Sequence, residues 1–183
     1  MSFSDADLIA RVLAHEEQNA FSELVRRYQS PVRAFLARMT HGDSHLADDL
    51  AQETFIKAWQ KLRTFRGEAR FSTWLFGIAF NEFRSACRHR KELAWEDTHM
   101  LSDFEQPAAD AHSHLSLDLA EALKLLTPAE RAAIILCCQN GLSHDETARV
   151  LECPLGTVKT NILRGKEKLR RRLAIAYEHY EPV

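Results

Sequence analysis

The stretch 143–173, SHDETARVLECPLGTVKTNILRGKEKLRRRL, decides the fold of this chain. Its opening serine is followed three residues later by Glu146, and this pairing is a capping box that starts a helix. The spacing predicts a helix of about nine residues to Leu151, a break at 152–154, and a longer amphipathic helix toward Tyr177. Two helices joined by so short a turn predict a helix-turn-helix.

The second helix of this pair carries side chains suited to reading DNA. Four apolar residues at helical spacing predict its packing face: Val158, Ile162, Leu169 and Leu173. The polar side chains that remain are candidate DNA contacts: Thr157, Lys159, Thr160, Asn161, Arg164 and Lys168. Arginine can bond guanine, asparagine can bond adenine, and lysine and threonine serve bases or phosphates. The basic run that includes Lys168 is equally typical of a solvated helix face.

Upstream of the motif, the sequence marks another helix at both ends. Thr127, Pro128 and Glu130 supply an N-cap, a proline at the first helical position and a capping acid. Gly141 lies where this helix should stop. A second helical unit begins near Leu115 and includes the helix-turn-helix.

The first half of the chain also has helical spacing, from Asp5 to about Lys91, with polar breaks that predict four helices. The third, about 44–61, has an acidic polar face that contains Asp48, Asp49, Gln52 and Glu53. The fourth, about 71–90, is apolar over most of its circumference, except for the stripe Asn81, Arg84, Ser85 and Arg88. The whole pattern predicts an all-α protein.

Charge is unevenly distributed along the chain. Residues 92–123 contain eight acids and no lysine or arginine, whereas residues 156–172 contain seven bases and one acid. We therefore predict two small helical domains, 1–92 and 117–183, joined by an acidic linker, 93–116. The linker could occupy a cationic nucleic-acid channel or act only as a solubilising tether.

Other function classes lack their motifs. The chain has no glycine-rich phosphate loop, no H-E-x-x-H, no paired thiolates and no nucleophile motif, so we predict no catalytic residues, no metal and no cofactor. Its four cysteines have no C-x-x-C spacing and are expected to be reduced and buried. The N-terminus lacks a secretion signal and no long apolar run is present, which predicts a cytoplasmic protein without membrane insertion.

Two regions of the chain together resemble a known family. The segments 46–59, LADDLAQETFIKAW, and 65–91, FRGEARFSTWLFGIAFNEFRSACRHRK, resemble the first conserved domain of the extracytoplasmic-function (ECF) sigma factors. The segment 126–173 resembles their promoter-reading C-terminal domain, and both occur in the family's order. The resemblance implies a protein that binds core RNA polymerase, through its β′ and β subunits, and directs it to promoter DNA. It also implies control by an anti-sigma factor.

The resemblance assigns a role to each predicted surface. In such proteins the helix matching 44–61 docks on the β′ subunit, which assigns Asp48, Asp49, Gln52 and Glu53 to the polymerase. The loop 66–71 and the next helix hold the −10 element, which assigns Arg66, Arg70, Asn81, Arg84, Ser85 and Arg88 to that element. The helix after the turn reads the −35 element. Asn161 stands where the family often has a basic residue, so a promoter sequence cannot be transferred.

An alternative interpretation is a conventional helix-turn-helix regulator that binds an operator without polymerase. Its N-terminal half would sense a ligand or dimerise. The acidic helix face and the second basic stripe disfavour it, because a sensor domain requires neither. An enzyme is also disfavoured, since no catalytic motif is present.

Overall fold

A computed structural model describes residues 3–15, 17–96 and 114–178, and all the regular structure in these ranges is helical. The helices are α1 (Asp5–His15), α2 (Gln18–Met39), α3 (Ser44–Lys61), α4 (Phe71–Glu96), α5 (His114–Lys124), α6 (Pro128–Ile134), α7 (His144–Leu151) and α8 (Leu155–Glu178). The all-α prediction is confirmed. No helix within the described ranges is long and apolar enough to cross a membrane.

The helices on either side of the predicted linker are longer than the sequence suggested. Helix α4 continues to Glu96, and α5 begins at His114. The rest of the linker, 97–113, lies outside the described residues, so the domain boundaries stay a prediction.

The first four helices pack around one apolar core. The C-terminal half of α2 supplies its centre with four fully buried side chains: Val32, Phe35, Leu36 and Met39. Helix α3 contributes Ala47 and Ala58, and α4 contributes Leu75, all with no exposed surface. Burying a side chain such as Phe35 stabilises the fold by about 1.5–3 kcal/mol, so this face fixes how α2 lies on α3 and α4.

The helix ends in the second half follow the predicted caps. The side chains of Thr127 and Ser143 each accept a hydrogen bond from the backbone N–H three residues on. The carboxylates of Glu130 and Glu146 accept in turn from the backbone N–H of Thr127 and Ser143, so both predicted capping boxes are present. Helix α6 leads into a π-helical turn, Ile135–Gln139, before the chain reverses.

Gly165 allows α8 to cross α6 closely. A Cβ atom at this position would lie 2.5 Å from Cδ1 of Ile134, well inside van der Waals contact. A larger residue would therefore require the Ile134 side chain to move.

The cysteines depart from expectation. Cys87 and Cys138 are exposed, and Cys137 and Cys153 are only partly buried, so the prediction of buried cysteines was wrong. All four are free thiols.

The two halves of the described structure pack against each other. Helix α7 lies along α4, and α6 touches α2, so a single apolar cluster includes residues from both halves. Thr73 of α4 and Thr147 of α7 are both buried. Local sequence patterns did not predict this packing.

Candidate polymerase and nucleic-acid interfaces

The acidic face of α3 is open to solvent. Asp48, Asp49, Gln52 and Glu53 are all exposed, while the opposite side of the helix packs in the core. Asp48 is paired with Arg33 of α2. Asp49 and Glu53 form no ion pair with any residue in the described ranges. Two carboxylates therefore remain available to a partner.

An exposed apolar pair extends this acidic face, and the sequence analysis missed it. Ile56 and Trp59 are 42% and 39% exposed, one turn or two beyond Glu53 on the same helix. The Trp59 ring packs edge-to-face with the Phe21 ring, with ring centroids 4.9 Å apart. The signal was present in the spacing, because 52, 56 and 59 share one side of a helix. Charge beside exposed apolar surface is typical of a protein interface.

The loop 65–70, before α4, is shaped by glycine and lined by aromatic rings. Gly67 has φ +71°, a conformation that other residues rarely adopt. Phe65 and Trp74 lie with ring centroids 5.4 Å apart, and Arg66 and Arg70 project into solvent. A groove of about 400 Å³ runs between this loop and α4.

The polar stripe on α4 begins beside this groove. Asn81, Arg84, Ser85 and Arg88 are all exposed, as the spacing predicted. Arg84 also lies 5.9 Å from the centre of the Phe80 ring. Guanidinium groups beside an aromatic groove can bind both the phosphates and the bases of a single strand.

Three of the six predicted −10 residues also contact the second half of the chain. Asn81 and Arg84 lie 3.4 Å from the two carboxylate oxygens of Glu152. Arg70 lies 3.5 Å from Glu146.

Glu146 is held in its ionised form at this contact. Backbone and side-chain hydrogen bonds from Ser143 lower the pKa of Glu146, with further help from Thr73 and Arg70, against the opposing effect of burial. The acid facing Arg70 therefore carries its charge well below neutral pH.

The N-terminal half of α8 presents most of the predicted base readers. Thr157, Lys159, Thr160 and Arg164 are exposed, and Val158 and Ile162 are buried against the rest of the domain. The Thr160 hydroxyl donates to the Gly156 carbonyl at 2.9 Å. Asn161 is only partly exposed, since it lies at the edge of the packing face.

Leu163 belongs to this exposed face and was missed. It is 70% exposed, the largest value among the exposed large hydrophobic side chains of the described structure. It lies one turn after Lys159 and Thr160, so the three share the solvent side. An apolar side chain there can contact the methyl group of thymine.

Lys168 is paired within its own domain. Its Nζ donates to both oxygens of Glu130, at 3.0 and 2.7 Å, across the contact between α8 and α6. The Lys168 side chain is still 43% exposed, so its contact with DNA phosphate stays a prediction. No grouping of three metal-ligating side chains exists in the described ranges.

Two family models match this chain. Sigma-70 region 2 matches residues 24–92, and sigma-70 region 4 matches residues 116–169. The first covers α3, the loop and the stripe, and the second covers α5 through most of α8.

Individual proteins show the same similarity along nearly the whole chain. The RNA polymerase sigma-H factor of Pseudomonas aeruginosa is 34% identical, over 92% of this chain and 93% of that protein. The ECF RNA polymerase sigma-E factor of Escherichia coli K12 is 34% identical, over 93% of this chain and 94% of that protein. The Bartonella quintana sigma factor RpoE, solved with the anti-sigma factor NepR, has a TM-score of 0.74 and 30% identity, over 85% and 97% of the two chains.

The fold, its surfaces and these likenesses define a class, the RNA polymerase sigma factors. Within that class, the chain belongs to the ECF family, as its motifs predicted. The prediction of a sigma factor is confirmed, and the conventional operator-binding regulator is set aside.

Proposed function

We propose that this sigma factor works through three surfaces: the α3 face binds polymerase, the loop and α4 stripe hold the −10 element, and α8 reads the −35 element. The observation that carries this assignment is that each residue set, apart from the partly exposed Asn161 and Lys168, forms an exposed surface on a packed helix or its adjoining loop. The buried face of each helix fixes the direction of its exposed face, so these surfaces are preorganised for binding.

On α3, the proposed contact combines Asp49 and Glu53 with Ile56 and Trp59. The carboxylates would meet cationic side chains of the β′ subunit, and the apolar pair would lose water on docking. Such a contact has a charged part that orients the partner and an apolar part that supplies affinity. Asp48 and Gln52 flank it.

In the −10 surface, the groove beside Phe65 and Trp74 is large enough for an unstacked base. Arg66 and Arg70 would bind the backbone near the loop, and the stripe Asn81, Arg84, Ser85 and Arg88 would carry the strand along α4. Single-stranded DNA is bound in this way, by aromatic stacking together with cations that follow the phosphates.

For the −35 surface, we place Lys159, Thr160, Leu163 and Arg164 in the major groove, with Thr157 at the helix N-terminus near phosphate. Asn161 stays a predicted base contact at the edge of this face. The exposed Leu163 adds a preference for thymine.

The remaining assignments follow from membership of the family. The protein would act as a non-catalytic subunit in the cytoplasm, where core RNA polymerase works. An anti-sigma factor is a suitable regulator, because the related B. quintana sigma factor was solved with one. The acidic linker could approach the polymerase channel or act as a tether.

Charge reversal on α3 tests the polymerase contact. Asp49→Arg with Glu53→Lys should lower the affinity for core RNA polymerase at least about tenfold, because two attractive charge contacts become repulsive. Fluorescence anisotropy of the labelled full chain, titrated with core enzyme, measures this change.

The control is the single charge reversal Glu167→Lys on α8, because the ion pair of Glu167 in the described part of the chain is with Arg171, one turn on. It should bind core enzyme like the wild type, and circular dichroism should show normal helicity in all variants. Unchanged binding by the α3 variant would remove that face from the interface.

A further inference from the structure

The groove of the −10 surface is backed by a cluster of aromatic rings. Phe71, the first residue of α4, is 4% exposed and packs against Phe65 and Trp74, with ring centroids 5.8 and 5.6 Å away. Tyr28 of α2 packs edge-to-face on Phe71, with ring centroids 5.4 Å apart. The four rings form one continuous cluster, and two of them, Phe65 and Trp74, line the groove.

The far end of this cluster is tied to the N-terminal helix. The Tyr28 hydroxyl donates to one carboxylate oxygen of Asp5, in the first turn of α1. The other oxygen of Asp5 accepts from Arg27 at 2.9 Å, and Arg27 also donates to the backbone carbonyl of Phe3 at 2.7 Å. Helix α1 packs in addition on the 3₁₀ turn Leu62–Thr64, just before the loop. The N-terminal helix therefore contacts both the tyrosine and the approach to the loop.

The tyrosine is a hydrogen-bond donor at neutral pH. Burial, together with the hydrogen bond to Asp5 and the charge of Asp5, raises the pKa of the Tyr28 hydroxyl well above its ordinary range. Nearby Arg27 and Arg70 oppose this effect more weakly. A carboxylate accepts a stronger hydrogen bond than a neutral oxygen, so the contact fixes the direction of the ring as well as its position.

We propose that Tyr28 and Asp5 are positioning residues for capture of the −10 strand: their hydrogen bond fixes the Phe71 ring, which in turn fixes the two rings that line the groove. The proposal rests on the proposed function for the role of the groove. Neither residue lines the groove, so neither is expected to touch DNA. Stacking of an unpaired base needs rings held at a defined place, within about 0.5 Å.

The hydroxyl adds direction to this cluster more than stability. Phenylalanine at position 28 would keep the aromatic packing, which supplies most of the stabilisation by an aromatic side chain. Asp5 is 30% exposed and would keep its bond from Arg27, so no buried carboxylate would lose its last partner. A variant without the hydroxyl should therefore fold, with rings that are held less firmly.

The test uses the full chain with core RNA polymerase and a template that the wild type opens, with 2-aminopurine replacing an adenine near −10. The fluorescence changes when that base leaves the duplex stack, so stopped-flow traces separate the opening rate from the affinity for the closed promoter. Tyr28→Phe should lower the opening rate about three- to fivefold, the factor expected for one lost hydrogen bond. The affinities for core enzyme and closed promoter should not change.

Asp5→Ala and Glu23→Ala are a matched pair of variants. Each removes a carboxylate that Arg27 binds, at 2.9 and 3.0 Å, but Asp5 is the one that accepts from Tyr28. Asp5→Ala should slow opening at least as much as Tyr28→Phe, whereas Glu23→Ala should open promoters like the wild type. Asp5→Asn keeps an oxygen acceptor and should recover part of the rate. Adding Tyr28→Phe to Asp5→Ala should slow opening no further, because both remove the same bond.

A wild-type opening rate in Tyr28→Phe would overturn the proposal, as would equal slowing by Glu23→Ala or a parallel loss of affinity for core enzyme. Failure of the proposed function would look different. Core polymerase would then open no template even with the wild type, and the roles of Tyr28 and Asp5 would fail with it.

Discussion

At the residue scale, Glu130 shows how opposing effects set the charge of a buried group. The residue is 4% exposed, and burial alone would raise the pKa of its carboxyl group. Hydrogen bonds from Lys168 and Thr127 outweigh that effect, so the pKa of Glu130 lies below its ordinary value of 4.5. The capping box and the contact of α6 with α8 both depend on the ionised form.

Removing the partner of this acid should destabilise the fold. We expect Lys168→Ala to lower the free energy of unfolding at pH 7 by about 1–2 kcal/mol, because a buried carboxylate loses a charged donor. Urea unfolding followed by circular dichroism measures the change. Lys166→Ala, an exposed neighbour on the same helix, is the control and should stay near wild type.

The effect has a defined pH dependence. Since the folded pKa of Glu130 lies below the unfolded one, its stabilisation is full above about pH 4.5 and is lost as pH falls through the lower folded value. The difference between Lys168→Ala and wild type should therefore shrink in acid. A difference that is absent at pH 7, or grows in acid, would contradict the pairing.

Single residues also mark the limit of prediction from sequence. Helical spacing was enough to place Val158 and Ile162 inside and Lys159 and Arg164 outside. It could not assign Lys168, because the acid that holds it lies 38 residues earlier in the chain. Leu163 could not be identified for another reason. A leucine in an amphipathic helix is expected to be buried, and only polar side chains were predicted to contact bases.

At the element scale, α8 combines a packing face and a reading face within the same turns. Val158 and Ile162 hold it against its own domain, and Gly165 lies close to the Ile134 side chain of α6. The exposed side is therefore presented at a fixed angle. Caps were predictable in the same way, because the Thr127 and Ser143 boxes are local patterns.

Different substitutions in α8 should affect base recognition and phosphate binding separately. Asn161→Ala and Leu163→Ala should each relax preference at one position of the −35 element, at a cost of about 1–3 kcal/mol on the best sequence. Lys166→Ala, the matched variant on the exposed cationic side, should weaken all sequences alike and reduce the salt dependence. Selection from a randomised −35 library by the full chain with core polymerase provides the measurement.

Uniform weakening across all sequences in these three variants would show that this half of α8 is not the base reader. A preference that changes in Leu163→Ala but not in Asn161→Ala would assign the reading to the exposed side alone.

At the whole-molecule scale, the sequence indicated two helical units but not how they meet. Their contact includes Glu152 with α4 and Arg131 with α2, pairs separated by about 70 to 90 residues. The broad apolar surface of α4 indicated a central helix but did not identify α7 as its neighbour. The sequence predicted that the α4 stripe faces DNA. In this structure, Asn81 and Arg84 of that stripe also contact Glu152, in the turn of the helix-turn-helix.

The central claim is that this protein directs promoter opening only as part of RNA polymerase, through its −10 and −35 surfaces. Alone, the chain offers two small cationic surfaces, a net charge of −2, and a −10 surface that its own second domain partly covers. We therefore expect weak, salt-sensitive and nearly non-specific DNA binding by the isolated protein.

The most direct measurement is permanganate footprinting on a library of upstream DNA regions, with purified protein, with core RNA polymerase, and with both. We predict unpaired thymines near −10 on a defined set of templates only when both are present. Tight, sequence-specific binding by the protein alone, with no polymerase-dependent opening on any template, would contradict the account.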